Sequence, residues 1–574
     1  MALTPEVLFK CLTDDISDQF GPEFVADASK YGPLWPGMSL QEAAASSLLA
    51  SFLKKLEVAQ TKNADDAALV KFLACNAACK EWRLPDRIDL KTDIILGEYK
   101  RAIYEFWFRD GYALWDHPFA LLERGRIGPG ANILARGGDF YTKLFASPLS
   151  CSDVSLYVWY RQYIKRFPLW ETAEVNRLSH YDESSVRPSS RLSFVPKNDK
   201  ISRCICTEPT LNTFFQLGIA DYLESRLSER FGISLASQQF KNRNLARLGS
   251  ITDGLSTIDM SSASDSISIE MLRYSLPPDF FRELMKYRCA SVDIKGRGVE
   301  QLHMISTMGN GYTFPLQTMV FACAVVACLR FRGIPVKGNM SDELWGVNGD
   351  DIICPSEITG DVISLLKLLG FSVNDDKTFV KGPFRESCGS DFFMGSDIRG
   401  VYIKKLSTPG SRYAAFNQLA RFSTKTGIGL SKTLRTLYNS VKFLPVPCWA
   451  NSDSGIQLPF ASVKKYLKRD PHIQGYKYLS YEVVPPLIRV TENEVVVPRR
   501  AKRRIFNPDG LMLSFLQRSV YSMSMGIRVD VQRYRTKRRS TSCWDARPCH
   551  PLGHPDHGLD WQRWESVVSE ISES

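Results

Sequence analysis

The chain has 574 residues, 44% of them hydrophobic and 24% charged, an ordinary globular mix that excludes collagen-like, mucin-like and wholly disordered classes. At roughly 100 to 200 residues per domain, such a length implies several structural units rather than one. Lys plus Arg exceed Asp plus Glu by 73 to 62, and the resulting +11 favours a polyanionic partner.

The opening residues MALTPEVLFKCLTDDISDQF carry early acids and no basic segment leading into an apolar one, so no secretory leader is expected. The 14 cysteines lack framework spacing and read as reduced thiols. Ser39 is a candidate N-cap, with Glu42 three residues on, for a helix through the run Ala43 to Leu56. Helical patterns continue through Glu98–Arg109 and Tyr157–Arg166, where aromatics interleave with basic residues. Such interleaving serves either to stack bases and neutralise phosphates or simply to build amphipathic helices with solvated cations. Between them lies the glycine-rich stretch Gly125 to Asp139, which lacks the Lys-Ser/Thr ending of a P-loop.

From 251 to 405 short apolar runs (Leu255–Ile258, Leu344–Val347, Ile352–Cys354, Phe371–Val373) alternate with helical stretches, an α+β layout. The longest apolar run, Phe314 to Leu329, is broken by Pro315, Gln317 and Thr318, and it falls short of the roughly 20 residues of a membrane span. A buried helix is expected there, and no membrane association. Beyond 406 the pattern turns helical, then Pro-rich and irregular between Pro445 and Pro498. Between Arg499 and Arg539 twelve basic residues stand against Asp509 and Asp530, so nearly all the net charge is concentrated there. That segment is either a phosphate-binding surface or a solvated tail. Cys543, Cys549, His550, His554 and His557 match no standard zinc finger, and Pro548, Pro551 and Pro555 point to an irregular tail.

Four constellations carry chemistry. In Leu344-Trp-Gly-Val-Asn-Gly-Asp-Asp-Ile-Ile-Cys-Pro355 two apolar runs flank Asn348-Gly349, a hairpin signal that would place Asp350 and Asp351 at the tip. Adjacent carboxylates repel unless a cation lies between them, and hard divalent ions such as magnesium prefer carboxylate oxygen. A second strand runs into Asp259, with Asp265 six residues later. If it lies beside the hairpin, Asp259, Asp350 and Asp351 build a site for two metals suited to nucleotidyl transfer. Third, Ser306 to Gln317 forms a glycine loop in which Gly309 allows close backbone approach to a ligand and Asn310 and Thr313 supply hydrogen-bonding groups. Fourth, Lys197, Lys200 and Arg203 fall three apart in RLSFVPKNDKISR and could clamp a triphosphate.

In order and wording, VPKNDKISRCI, TIDMSSASDSIS, STMGNGYTFPLQ, NGDDIICP, NDDKTF and GPFRESCG resemble the replicase catalytic subunits of positive-strand RNA bacteriophages (levivirus type), a family of RNA-directed RNA polymerases. The resemblance spans roughly residues 190 to 405. It implies a right-handed polymerase with an antiparallel-sheet palm and helical fingers and thumb: an N-terminal helical segment over 1–60, fingers over 61–250, palm over 251–405, thumb and basic region over 406–530, and a C-terminal tail over 531–574. It implies Asp259, Asp350 and Asp351 as ligands of two magnesium ions, with manganese as an alternative. Asp265 with Asn310 would read the ribose 2′-OH beside Gly309, and Lys197, Lys200 and Arg203 would hold the triphosphate. Lys377 would be a general acid toward pyrophosphate, and Arg385 the nucleic-acid contact of the segment supporting the primer end. It further implies RNA template and product, ribonucleoside triphosphates, host elongation factors Tu and Ts with a ribosomal protein as partners, and the cytoplasm of a bacterial host.

Two positions depart from the family pattern. Asn348 stands where these replicases usually have Tyr before Gly-Asp-Asp, with the carboxylates kept; Gln317 stands where many positive-strand RNA polymerases carry Asn, and it is left out of the site. A reverse transcriptase would share the paired acids, but Asp265 argues for accepting a 2′-OH. A non-catalytic RNA-binding protein would account for the basic segment and leave the three Asp residues unexplained.

Overall fold

The computed structural model describes residues 3–31, 37–56, 62–197, 201–336, 344–484, 489–490, 494–497, 502–516 and 533–545. Within these the chain is a mixed α+β protein, as expected, built around two large apolar cores.

The first core is organised by the helix Thr313–Phe331, whose side chains are buried from Pro315 through Leu329. It is the one helix among the described residues long and apolar enough to cross a membrane, and it is packed instead against helices Leu90–Trp107, Thr210–Phe231 and Thr359–Leu368. A helix apolar on every face needs neighbours on every face, and these three supply them. The aromatic-basic stretches resolve in the same way. Tyr99, Phe106 and Trp107 on one helix, and Tyr157, Tyr160 and Tyr163 on the helix Val154–Ile164, point into the core. They are therefore not base-stacking surfaces, and Arg101 is spent on Glu98 and Glu105 of its own helix.

Over this helix lies a three-stranded antiparallel sheet in the order Gly346–Asn348, Asp351–Pro355, Leu255–Ile258. Helix Gln238–Thr252 packs against all three strands. Strand Leu255–Ile258 is buried along its whole length, Ser256 and Thr257 in its middle as fully as Leu255 and Ile258 at its ends. A separate four-stranded sheet runs Gly298–Gln301, Ser291–Ile294, Ser189–Pro196, Ser202–Thr207, and helix Lys62–Glu81 lies on its last strand.

The second core joins the beginning of the chain to its later half. Helices Pro5–Phe20 and Leu40–Phe52, the latter opened by the expected Ser39–Glu42 capping box, pack with helices Pro409–Thr426 and Ser431–Asn439. Buried Asp15 accepts hydrogen bonds from the Lys432 and Thr433 amides and the Thr433 hydroxyl, capping the helix Ser431–Asn439 from a distance in sequence. Helix Pro508–Leu516 returns to the first core, where the Asn507 amide donates to the carbonyls of Ala173 and Phe145.

The stretch expected as a tail opens with regular structure. Arg533–Thr541 is a strand paired antiparallel to Gly475–Val484, whose other edge pairs with Lys468–Asp470. The β-branched and aromatic content of the partner strand supplies the pairing surface that a basic stretch alone does not reveal. Of the Cys/His group, Cys543 is exposed and the other four residues lie outside the described segments.

Candidate active site

The hairpin at 346–355 pairs Asn348 with Asp351, so its two turn residues are Gly349 and Asp350. Gly349 has φ +65°, and a Cβ there would fall 2.3 Å from the Phe314 ring. A left-handed glycine in the first turn position is what a tight two-residue hairpin requires. Asp350 is thus at the tip, as expected, whereas Asp351 is the first residue of the following strand. The neighbouring strand sets Ile258 opposite Ile352. One step further along that antiparallel register, Asp259 comes beside Asp351. Three carboxylates from two distant sequence segments therefore share one end of the sheet.

Their surroundings hold them there. The Asp351 carboxylate accepts from the Cys388 amide at 3.1 Å and the Ser387 hydroxyl at 3.4 Å. Burial, with Asp350 and Asp259 adding repulsion, pushes its carboxyl up to about 6. Asp259 accepts from the Asn374 side-chain amide at 2.6 Å, and Asn374 also donates its backbone N–H to the Asp259 carbonyl at 2.9 Å. Burial raises the Asp259 carboxyl above its usual range, with Lys377 and Asn374 opposing. Lys377 donates to Glu386 at 3.3 Å. Burial works against its ammonium, but Glu386 and Asp259 outweigh it and hold Lys377 above the ordinary lysine value. Among the described residues no group of three or more His, Cys, Asp or Glu side chains stands as a finished ligand set for a metal ion. The donor chemistry nevertheless suits one: hard carboxylate oxygens that repel one another, those of Asp259 and Asp351 half-buried and that of Asp350 exposed, are stabilised by a divalent cation.

The second cluster lies around a 3-10 turn, Ala263–Asp265. Asp265 is buried, its Oδ1 has no hydrogen-bond partner, and burial pushes its carboxyl up to about 6 against the opposing pull of Lys71 and the Met308 amide. Asn310 accepts from the Tyr312 N–H at 3.0 Å, while its Nδ2 is also buried and unpartnered. An orphaned acceptor and an orphaned donor in such positions are costly unless a ligand completes them. Lys197 follows the strand Ser189–Pro196, and its backbone N–H donates to the Ile201 carbonyl. Burial lowers its pKa, as do Arg203 and Lys377, with Asp259 pulling the other way, so Lys197 lies in the field of one of the three carboxylates and close to Arg203. Lys200 lies outside the described residues.

Two expected contacts are corrected. Arg385 is wholly buried: it donates to the carbonyls of Leu255, Gly382, Phe384 and Val380 and pairs with Asp253 at 2.7 Å. It ties the strand Phe384–Ser387 to the central sheet and offers no donor to RNA. Gly309 has φ +120°, and a Cβ there would lie 2.1 Å from the Cys206 carbonyl oxygen, so its close approach is to the neighbouring strand rather than to a ligand. Sequence reasoning missed Asn374, Glu386 and Lys71. The first two sit inside the stretches NDDKTF and GPFRESCG; Lys71 lies on the helix Lys62–Glu81, which no sequence pattern connects to the site.

Known proteins resemble the chain in sequence. The chain is 39% identical over 253 residues to the RNA-directed RNA polymerase subunit beta of Escherichia virus Qbeta, covering 44% of this chain and 42% of that one. It is 43% identical over 212 residues to the RNA-directed RNA polymerase beta chain of Escherichia phage MS2, covering 37% of each. The aligned part thus spans about two fifths of either relative. The family described as RNA replicase, beta-chain, matches residues 39–454, a stretch that holds every site residue named above. The chain belongs to the RNA replicase beta-chain family.

Proposed function

We propose that the protein is an RNA-directed RNA polymerase that copies a viral single-stranded RNA genome by ribonucleotidyl transfer. The observation that carries this reading is the strand register that brings Asp259 beside Asp350 and Asp351 at one sheet end, with a second cluster at Asp265 and Asn310 whose buried polar atoms await a ligand. In this reading the central sheet is the palm, the elements bearing Lys197 and Arg203 belong to the fingers, and the helices after residue 406 form the thumb.

Asp259, Asp350 and Asp351 would hold magnesium, which when bound lowers the charge of the cluster and of the triphosphate. The chain's own residues do the rest. Lys197, Lys200 and Arg203 draw the triphosphate toward the carboxylates. Asp265 Oδ1 accepts from the ribose 2′-OH, and the Asn310 amide donates to the same hydroxyl, so both orphaned atoms gain partners and a deoxyribose leaves them buried and bare. A 3′-OH of the growing strand gives up its proton to water and attacks the α-phosphorus, and the bond to pyrophosphate breaks. Lys377, kept protonated by Glu386 and Asp259, holds the proton that the departing pyrophosphate takes. Asn374 fixes the orientation of the Asp259 carboxylate. Elongation factors Tu and Ts and a ribosomal protein of the bacterial host are the partners this reading carries with it.

The test is incorporation of labelled ribonucleotides on an RNA template, with magnesium omitted or supplied and with extract of a bacterial host added or withheld. Template-dependent, magnesium-dependent product supports the reading. Incorporation of deoxyribonucleotides in preference would favour a reverse transcriptase, and RNA binding without synthesis in every arm would favour a binding protein.

A further inference from the structure

The three-stranded sheet that holds the basic strand Arg533–Thr541 lies beyond residues 39–454, the stretch matched by the family, and nothing in the proposed chemistry uses it. The three strands of this sheet carry eight basic residues against two acidic ones, Asp470 and Glu482. Both acids are already engaged: Asp470 accepts from the Ser540 hydroxyl at 2.6 Å and lies 3.8 Å from Lys477, and Glu482 accepts from Arg539 at 2.7 Å. Arg535 and Arg538 are exposed and have no acidic partner among the described residues. Because side chains alternate along a strand, they project from opposite faces, so cations flank the sheet on both sides.

Aromatic surface lies against this charge. A cleft of about 740 Å³ is lined by Trp449, Tyr478, Tyr481 and Tyr534, with Arg539 among its walls. Tyr481 and Tyr534 stack with ring centroids 5.2 Å apart and planes within 14° of parallel, and Tyr534 remains 38% exposed, one edge of the stack facing solvent. Tyr481 also packs toward buried Tyr413, which anchors the stack to the second core. Arg533–Thr541 is an edge strand, and charge on an edge strand alone would serve to deter pairing with another chain. That explanation covers neither the cations on the other two strands nor the aromatic cleft.

We infer that this sheet is a single-stranded RNA-binding platform, separate from the carboxylate site, on which unpaired bases stack against the Tyr534–Tyr481 pair while Arg538 on the same face, and Arg535 across the strand's free edge, neutralise phosphates. Charged grooves interleaved with aromatic rings bind single strands in this way, because every unpaired base offers a face for stacking and a duplex hides its faces. The choice of RNA as the polyanion rests on the polymerase reading; the platform itself is tested by binding, without catalysis.

The experiment uses the full chain and a fluorescent single-stranded RNA of about 16 nucleotides, with the same sequence as a duplex for comparison. Affinities are measured across salt for wild type, Tyr534→Ala, Tyr534→Phe and the double variant Arg535→Glu, Arg538→Glu, and ultraviolet cross-links are mapped by mass spectrometry. Tyr534→Ala should weaken single-strand binding about 10-fold with the salt slope kept, and Tyr534→Phe should retain it, since stacking needs the ring and not the hydroxyl. The double charge variant should weaken binding and flatten the salt slope by about 1.4, two phosphate contacts' worth for a single strand. Cross-links should fall in the peptides holding Tyr481 or Tyr534. Equal affinity in all variants, equal losses for duplex and single strand, or cross-links confined to residues 190–405 would overturn the inference. Because binding is read without nucleotides, a chain inactive in synthesis would count against the polymerase reading and leave this result standing.

Discussion

Replacing Asp265 by Asn separates an electrostatic cost from a functional gain at one position. Burial pushes the Asp265 carboxyl from 3.8 to about 6, so at neutral pH the fold carries an ionised group it disfavours. At about 1.4 kcal/mol per pKa unit that penalty is about 3 kcal/mol. The sign follows from proton uptake: between about pH 4 and 6 the folded chain holds a proton that the unfolded chain has lost, so stability falls as pH rises through that window. The penalty is complete above the folded value and absent below the unfolded one. Asp265→Asn removes it, so the variant's urea midpoint should exceed that of wild type at pH 7.5 and converge with it near pH 4. Asp351 and Asp391 are also pushed up to about 6, and comparing variant with wild type cancels their shared slopes. The same substitution removes the anionic acceptor proposed for the ribose 2′-OH. A hydrogen bond to a charged group is worth about 1.5–3 kcal/mol, so the preference for ribo- over deoxyribonucleotides should drop by about 10- to 100-fold. Competitive incorporation measures that ratio. A variant no more stable than wild type at pH 7.5, with unchanged sugar preference, would refute both halves of the reasoning.

Other outcomes follow from the same geometry. Arg385→Ala should destabilise the chain by about 3 kcal/mol or more, because four carbonyls and Asp253 lose a buried cation, while RNA affinity measured on the folded fraction stays unchanged. Glu386→Gln should lower the Lys377 pKa and move the alkaline limb of the pH–rate profile to lower pH; an unmoved limb would remove Lys377 from proton transfer. Asp15→Ala should cost about 1–3 kcal/mol in urea denaturation, since two amides at the start of the helix Ser431–Asn439 lose their acceptor.

Much of the site was legible because Asn348-Gly349 between two apolar stretches signals a hairpin carrying Asp350 and Asp351, and because Asp259 directly follows a short strand. What brings them together is register, and the sequence alone left open whether the strand before Asp259 lies beside the hairpin. Side-chain facing was the harder part. In Phe384–Ser387 the pattern of burial puts Arg385 inside and leaves Glu386 to reach Lys377, the reverse of the usual expectation that a cation faces solvent. The glycine loop was located correctly, but the reason for Gly309 is a neighbouring backbone, which no local pattern encodes. Lys71 acts on Asp265 from a helix far upstream, and only the packing of that helix on the strand Ser202–Thr207 and the turn at Ala263–Asp265 makes the connection. The C-terminal charge was evident by counting; that it lies on a paired strand beside stacked tyrosines was not.

The most direct test of the central claim compares wild type with Asp350→Ala for RNA-templated synthesis and for RNA binding, in the same buffer with magnesium and host extract. Asp350 sits at an exposed hairpin tip, so its removal spares the core. The account predicts template-dependent product from wild type, none from the variant, and equal RNA affinity for both. Undiminished synthesis by the variant would contradict the assignment of the carboxylate cluster as the catalytic site.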